Sequence, residues 1–140
     1  MDTAARSTRG NQAGQIIAIF ALALVALIAM VGLVLDGGSA FAQRRDEQSA
    51  ADLAALAGAN DYLLNLDTPL AIARAQSVAT ANGYANGVNG VTVNVSIITT
   101  NGAEVKVDIS APHRNNFASI VGMPTWAVAT TATAQSGYAD

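Results

Sequence analysis

The chain has 140 residues, no cysteine, one histidine and a formal net charge of −3. Without cysteine it has no disulfide framework and no thiolate metal site. After Leu35, nine acidic residues stand against five basic ones, and this balance argues against nucleic acid as a partner of that part of the chain. Aromatic residues make up only 5%, which predicts a core of small side chains with modest stability.

The first element is an apolar run from Ile16 to Leu35 without a charged side chain. A helix of this length spans about 30 Å, the thickness of the hydrocarbon core of a bilayer, and lipid offers its backbone no other partner. The run therefore predicts a transmembrane helix, in preference to a core helix that the rest of the chain is too small to wrap. A cleaved secretory signal is a second alternative, because small residues follow in "GSAFA" at 38–42.

Basic residues set the predicted orientation. Arg6 and Arg9 precede the run and favour a cytoplasmic N-terminus, although Arg44 and Arg45 near the other end weaken this assignment. The predicted organisation is a cytoplasmic N-terminus or leader (1–15), a transmembrane helix (16–35), an amphipathic continuation of the helix (36–60) and an extracytoplasmic head (61–140). Membrane lipid is thus the first predicted partner, and the cell membrane the predicted location.

The sequence Asp36-Gly37-Gly38 follows the run directly and allows two interpretations. Two consecutive glycines cost about 2 kcal/mol of helix propensity relative to alanine, which predicts a flexible joint at the bilayer surface. A simple helix end with a glycine cap is the alternative. Beyond the glycines a helical pattern resumes to about Asn60, with an apolar stripe at steps of three and four residues: Ala50, Ala51, Leu53, Ala54, Ala57 and Gly58.

A short amphipathic helix is predicted within "DTPLAIARAQSVATANG", the sequence of 67–83. Thr68 is the expected N-cap, Pro69 occupies the first helical position and Gly83 lies just beyond the end. The apolar stripe of this helix comprises Ala71, Ile72, Ala75, Val78 and Ala79.

The period then changes from 3.6 to 2, which indicates strands. "VTVNVSI" (91–97) and "EVKVDIS" (104–110) alternate apolar and polar residues, and Asn101-Gly102 between them is a strong hairpin signal. A helical turn is predicted in "RNNFASIVG" (114–122), followed by a third strand in "WAVATTATA" (126–134). One-sided alternation predicts an antiparallel sheet with a single buried face, covered by the amphipathic helix, the alanine-rich helix or both.

The predicted fold class is therefore α+β. A long N-terminal helix, apolar first and amphipathic later, is followed by a small head with a short helix and a three-stranded antiparallel sheet. This is the general plan of a type IV pilin.

The stretch from Arg9 to Ala59 resembles the N-terminal region of the TadE/TadG-like proteins of the tight adherence (Flp) pilus system. The features that carry the resemblance are the basic-glycine start, the apolar helix, the Asp followed by small residues, and the ending "AADLAALAGA" at 50–59. "FASIVGMPTWAVATTATA" at 117–134 also looks like the family's closing pattern. The resemblance implies a membrane-held protein with its head outside, which acts with other pilin-like or assembly proteins. The larger members carry an added adhesion-type domain for which this chain is too short, and this favours a pilin-like subunit.

The same resemblance bears on processing. A type IV prepilin has a basic leader that is cut after a glycine, with a glutamate at the fifth mature position. The equivalent bond here is Gly10-Asn11, which places Gln15 fifth. Glutamine cannot form the ion pair with a neighbouring N-terminal amine that glutamate offers, so both cleavage and an unprocessed cytoplasmic tail remain open.

The remaining candidate assembly residues are Gly32, Asp36, Gly37 and Gly38. Gly32 continues a series of small residues at three-residue steps, Ala23, Ala26 and Ala29, but these steps spiral around the helix and predict no specific interface. No cofactor, metal site or catalytic site is predicted. His113, the one histidine, is expected to be solvated in a loop, although a Ser-His-Asp arrangement with Asp108, Ser110 or Ser119 can be drawn.

Three classes of function follow from these observations. The first is a pilin-like or pilus-assembly subunit, and the second is a static membrane-anchored surface or adhesion protein that binds a partner through its sheet or its "NGYANGVNG" loop (82–90). An exported hydrolase is a distant third, so the chain is not expected to be an enzyme.

Overall fold

A computed structural model describes residues 9–99 and 103–137, with side chains from residue 14 onward. Helix α1 runs from Arg9 to Asn65, 57 residues, and is about 85 Å long at the usual rise per residue. It continues without interruption through Gly37 and Gly38, so the predicted helix end with a glycine cap is wrong. The helix also extends to Asn65, beyond the predicted end at about Asn60.

The helix tolerates the two glycines because α1 is held to the rest of the chain on both sides of them. Asp36 bonds to backbone amides of residues 116–118, and Ser39 bonds to His113 at 3.1 Å. These tertiary contacts offset the unfavourable propensity of the glycines. Whether the pair acts as a joint during assembly stays a prediction.

The N-terminal part of α1 has its apolar side chains exposed all round, as Leu22 and Val34 illustrate at 72% and 71%. Among the described residues, α1 is the one helix that is long and apolar enough to cross a membrane. The exposure argues against a core helix, and the findings support a membrane anchor.

Helix α2, Thr68–Ala81, packs its small residues against α1. Ala71, Ala75 and Ala79 are fully buried, as the predicted stripe requires. The N-cap is Asp67 and not Thr68, because the Asp67 carboxylate accepts a hydrogen bond from the amide of Leu70 at 3.0 Å. Pro69 therefore lies at the second helical position and Gly83, with φ +95°, follows the C-cap Asn82.

Three strands form one antiparallel sheet in the order β1-β2-β3: Thr92–Ile98, Ala103–Arg114 and Thr125–Ser136. Val107 of β2 pairs with Val95 of β1 and with Ala132 of β3, so the predicted alternation is confirmed. The hairpin turn predicted at Asn101-Gly102 lies outside the described residues. A short 3₁₀ helix, Ala118–Val121, connects β2 to β3 and confirms the predicted helical turn.

The core lies between the buried sheet face and both helices. Of the predicted alternatives, the one in which both helices cover the sheet is therefore correct. It contains alanines of α1 and α2 together with the inward residues of the strands: Ala50, Ala51, Ala54, Ala55, Ala59, Ala75, Ala79, Val93, Val105, Val107, Ile109, Ala132 and Ala134. The inclusion of Leu53 in the predicted apolar stripe is wrong, because this residue lies on the opposite face of α1 and is exposed. Gly58 allows close packing: a Cβ there would lie 3.1 Å from Cγ1 of Val105.

Candidate functional site

Asp36 is the centre of the contact between α1 and the segment that follows β2. Its carboxylate is fully buried and accepts hydrogen bonds from three consecutive backbone amides. The amide of Asn116 donates to Oδ1 at 2.8 Å, that of Phe117 to Oδ2 at 3.0 Å and that of Ala118 to Oδ2 at 2.7 Å. A carboxylate with this many amide donors is a strong, charge-assisted acceptor, so Asp36 fastens the head to the helix.

The geometry of the segment around residues 115–124 makes the three amides available. The amide of Asn115 donates to the carbonyl of Pro124 at 2.9 Å, and its side-chain Nδ2 donates to the carbonyl of Met123, also at 2.9 Å. These bonds close the segment into a loop. Gly122 has φ +89°, a left-handed conformation that glycine adopts without strain and that turns the chain back toward β3.

The electrostatics of this site favour the ionised form of Asp36. The hydrogen bond from the amide of Ala118 lowers the pKa of the Asp36 carboxyl most, and the amides of Asn116 and Phe117 and the interaction with His113 lower it further. Burial opposes these effects by raising the pKa, but the net direction is down. The carboxylate therefore stays charged while it is enclosed.

Gly32 lies one helical turn before Asp36 on the same face and receives the ring of Phe117. A Cβ at position 32 would lie 2.6 Å from Cγ of Phe117, a distance that real contacts do not reach. Only glycine leaves room for the ring here. Gly32, which the sequence analysis placed in a spiral of small residues without a specific interface, thus makes a specific contact with Phe117.

His113 continues the contact toward the middle of the head. It lies near the end of β2 with 6% of its surface exposed and stacks on Trp126 at 5.9 Å between ring centroids. Its Nε2 lies 3.1 Å from Oγ of Ser39, and its Nδ1 lies 2.7 Å from Oε1 of Gln43. The prediction of a solvated loop histidine is therefore wrong: β2 continues past Ser110, and the ring is held between sheet and helix.

Glu47 ends this line of polar side chains on α1. It is fully buried, its Oε1 accepts a hydrogen bond from Nε2 of Gln43 at 2.8 Å, and its Oε2 has no partner among the described residues. Burial raises the pKa of the Glu47 carboxyl, and the bond from Gln43 offsets part of that rise. Burial and the charges of Glu47 and Asp46 also raise the pKa of the Tyr84 phenol, which indicates a poorly solvated environment.

Replacing Glu47 by glutamine should raise the thermal stability of the protein near neutral pH. Because the folded-state pKa is raised, the stabilising contribution of protonated Glu47 is complete below the ordinary value of 4.5 and is lost as pH rises through the raised pKa. The gain of Glu47→Gln over wild type should therefore be largest above that pKa and shrink toward pH 4.5. Thermal melts of the detergent-solubilised protein across this range measure the difference.

The exposed Glu104 of β2 provides the matched control. Glu104→Gln makes the same chemical change without removing a buried carboxylate, and it should not reproduce the pH-dependent gain. A Glu47→Gln variant that is less stable than wild type at neutral pH, or that differs by the same amount at every pH, would contradict this account.

The predicted assembly residues do not all come together. Gly32 and Asp36 lie one turn apart and are both buried under residues 116–118, whereas Gly37 is half-buried and Gly38 is exposed. Gln15 is exposed, about 30 Å along the helix from Asp36. Gly10 and Asn11 lie near the start of α1, with side chains outside the described set, so cleavage between them stays a prediction.

The sequence analysis did not identify Gln43 and Glu47 as residues of this site. A signal was present: Asp36, Gln43 and Glu47 fall on the helical face that continues as Ala50 and Ala54, and this spacing places them toward the head. The identity of their partners, by contrast, depends on contacts some 70 to 82 residues apart along the chain.

The surroundings of His113 do not form the triad that can be drawn from the sequence. Its ring bonds to Ser39 and Gln43, Asp108 accepts from the hydroxyl of Thr131, and Ser119 donates to the carbonyl of Asn116. Within residues 14–99 and 103–137, no three histidine or acidic side chains cluster in a way that suits a metal ion. The described groups are arranged to join α1 to the head.

Comparison with known proteins shows that most of α1 is similar to one protein family. Residues 14–61 match the family model described as putative Flp pilus-assembly TadE/G-like. The match covers the apolar and alanine-rich parts of α1, including Gly32 and Asp36, and stops before α2. It confirms the resemblance of the N-terminal region to the TadE/TadG-like proteins and supports a role in the tight adherence pilus system. No curated protein and no solved structure matches the chain.

Proposed function

We propose that this chain, with its TadE/G-like segment at residues 14–61, is a membrane-anchored pilin-like subunit or assembly protein of a tight adherence pilus. In this proposal Ile16–Leu35 lies in lipid, or in the apolar centre of a filament, and the head lies outside the cytosol. The protein acts by packing its helix and head against other pilus proteins, without catalysis and without a cofactor.

The observation that carries the proposal is the construction of α1. One uninterrupted helix contains both the exposed apolar stretch and the part on which the head is built. The head is fastened to α1 through its alanine-rich core, through His113 and through Asp36. A long apolar helix with a head packed on its second half is the arrangement expected of a pilin-like subunit.

The outward face of α1 in the head offers contacts for neighbours. Phe41 and Leu56 have 71% and 61% of their surface exposed, and Leu53, between them along the helix, has about half of its surface exposed. In the proposed assembly, this is the face of α1 against which neighbouring proteins would pack.

The test is the location of the tagged full-length protein in its native cell. Pili sheared from the surface should contain the protein, and their yield should fall when its gene is deleted. Recovery of the protein solely with the membrane, together with normal piliation in the deletion strain, would exclude the pilus proposal and favour a static membrane-anchored surface protein.

Processing at Gly10-Asn11 is tested by mass spectrometry of the same material. A cleaved protein begins at Asn11 and lacks Arg6 and Arg9. An intact N-terminal peptide starting at Met1 rules the cut out and leaves residues 1–15 as a cytoplasmic tail.

Replacing both Gly37 and Gly38 by alanine should reduce pilus assembly without reducing stability. The helix is already continuous there and a Cβ at either position meets no atom within 4 Å, so the double variant should gain up to about 2 kcal/mol of helix propensity. Loss of piliation at normal abundance would show that assembly uses the flexibility of the pair. Unchanged piliation would contradict that use, and Gly14→Ala, also in open space, is the control.

A further inference from the structure

The connection between β2 and β3 contains an exposed apolar segment, Phe117–Met123, called here the apolar loop. Ile120 and Val121 are 81% and 73% exposed, and Met123 is more than half exposed. The stretch 115–125 has no charged residue. Four large apolar side chains in seven residues, left uncovered by the head, form a patch that water solvates poorly.

The apolar loop lies alongside the membrane-anchor part of α1 and not beside the alanine-rich part. With Val25, Ile28, Ala29 and Leu33 it lines an apolar groove of about 420 Å³. Val25 lies ten residues before Leu35, about 15 Å along the axis, so the groove covers the half of the hydrocarbon span nearest the head. If Ile16–Leu35 lies in lipid, the apolar loop must lie there as well.

Several backbone amides of the apolar loop donate hydrogen bonds to acceptors within the protein. The amides of Phe117 and Ala118, together with that of Asn116, donate to the Asp36 carboxylate. Further along the loop, the amide of Ile120 donates to the carbonyl of Phe117, and that of Met123 to the carbonyl of Ala118. Ser119 turns its hydroxyl to the carbonyl of Asn116 at 2.7 Å. Pairing these groups within the protein lowers the cost of moving this part of the backbone out of water.

We infer that the apolar loop is a second membrane-inserted element, which enters the leaflet on the head side next to α1 and places Ile120, Val121 and Met123 among lipid acyl chains. The inference rests on the membrane position of Ile16–Leu35 in the proposed function. It adds that the head lies against the bilayer, held by Asp36 at the level where lipid meets water, and does not stand away from the membrane on its helix.

Lipid is the partner that we expect to cover the apolar loop, because the loop lies beside the membrane-anchor part of α1. The apolar loop and the exposed side chains of Val25, Ile28 and Leu33 line the same groove. The nearest charged neighbour of the loop in sequence, Arg114, is exposed at the end of β2. An arginine at that position is suited to reach the headgroups while its apolar neighbours lie deeper. A second copy of the chain would have to reach the same depth inside the bilayer to cover the patch.

The test uses single-cysteine variants of the full-length chain, which has no cysteine of its own. Ile120→Cys and Val121→Cys carry a nitroxide spin label, and the protein is reconstituted in phosphatidylcholine vesicles with excess unlabelled chain. Leu27→Cys, exposed at 60% at the depth of the groove, is the lipid control, and Leu64→Cys, exposed at 73% near the far end of α1, is the water control. Power saturation compares collisions of each label with oxygen, which concentrates in lipid, and with a nickel chelate, which stays in water.

We expect the oxygen-to-nickel ratio at Ile120 and Val121 to be close to that at Leu27 and to exceed that at Leu64 severalfold. A ratio at both loop positions equal to that at Leu64 would place the apolar loop in water and overturn the inference, with the membrane anchor intact. Low collision rates with both reagents would mean that protein covers the patch and would overturn the choice of lipid. A water-like ratio at Leu27 would overturn the membrane anchor itself.

Discussion

Asp36→Asn is expected to release the segment 115–124 from α1 and to lower the thermal stability and abundance of the protein more than any substitution of an exposed acid. The carboxylate presents two acceptor oxygens to three amides, at 2.7 to 3.0 Å. Asparagine keeps one oxygen and points an NH₂ group at the donors that faced the other. Buried amides then lose their acceptor, which is costly because no water replaces it.

Melting temperature and limited proteolysis measure this effect. The variant should melt several degrees below wild type and become susceptible to cleavage within 115–124. Asp52→Asn is the matched control on the same helix, because Asp52 is exposed and accepts from Gln48 of α1. Its stability and cleavage pattern should match those of wild type.

The pH dependence gives a second check on Asp36. Its folded-state pKa is lowered from the ordinary 3.8, so its stabilising contribution is present above that value and is lost as pH falls through the lowered pKa. The difference between wild type and Asp36→Asn should therefore persist at neutral pH and disappear in acid. A variant that keeps wild-type stability and protease resistance at neutral pH would show that the buried carboxylate is not what joins head and helix.

Gly32→Ala is expected to displace Phe117 and to destabilise the apolar loop even though alanine is the better helix former. The new Cβ would lie 2.6 to 2.8 Å from three ring atoms of Phe117. Overpacking of this kind typically costs about 1 to 3 kcal/mol, which outweighs the gain of about 1 kcal/mol from removing a helical glycine. Thermal melts and cleavage in 115–124 report the loss.

A double-mutant cycle isolates the contact with the ring. In the Phe117→Ala background, Gly32→Ala should no longer destabilise, because the space occupied by the ring is then free. Gly14→Ala, which meets no atom within 4 Å, should be neutral or slightly stabilising in both backgrounds. Additive effects of Gly32→Ala and Phe117→Ala would contradict the direct contact.

The elements of the fold follow from local sequence patterns, and this is why most of them could be predicted. Alternation in 104–110 fixes which face of β2 is buried, and alanines at 71, 75 and 79 fix the inward face of α2. The exposed apolar half of α1 follows from its composition alone. Continuity of the helix through Gly37 and Gly38 did not follow, because propensity opposes it and distant contacts decide it.

The candidate site was only half accessible to sequence reasoning. Asp36 stood out as an acid at the end of an apolar run, but its partners are backbone amides of residues 116–118, and no side-chain type marks them. Phe117 and Gly32 carry complementary shapes that only the folded chain brings into contact. His113 gave the wrong impression for a similar reason: Pro112 suggested a loop, whereas β2 continues through it beside Ala127 of β3.

Alkaline extraction of membranes that contain the full-length protein tests whether the segment ending at Leu35 resides in lipid and holds the head at the membrane surface. We expect the protein to stay in the membrane pellet, to leave it only with detergent and to retain residues 16–35 by mass. Recovery as a soluble monomer in plain buffer, or with those residues removed, would show that the segment is not a permanent membrane anchor.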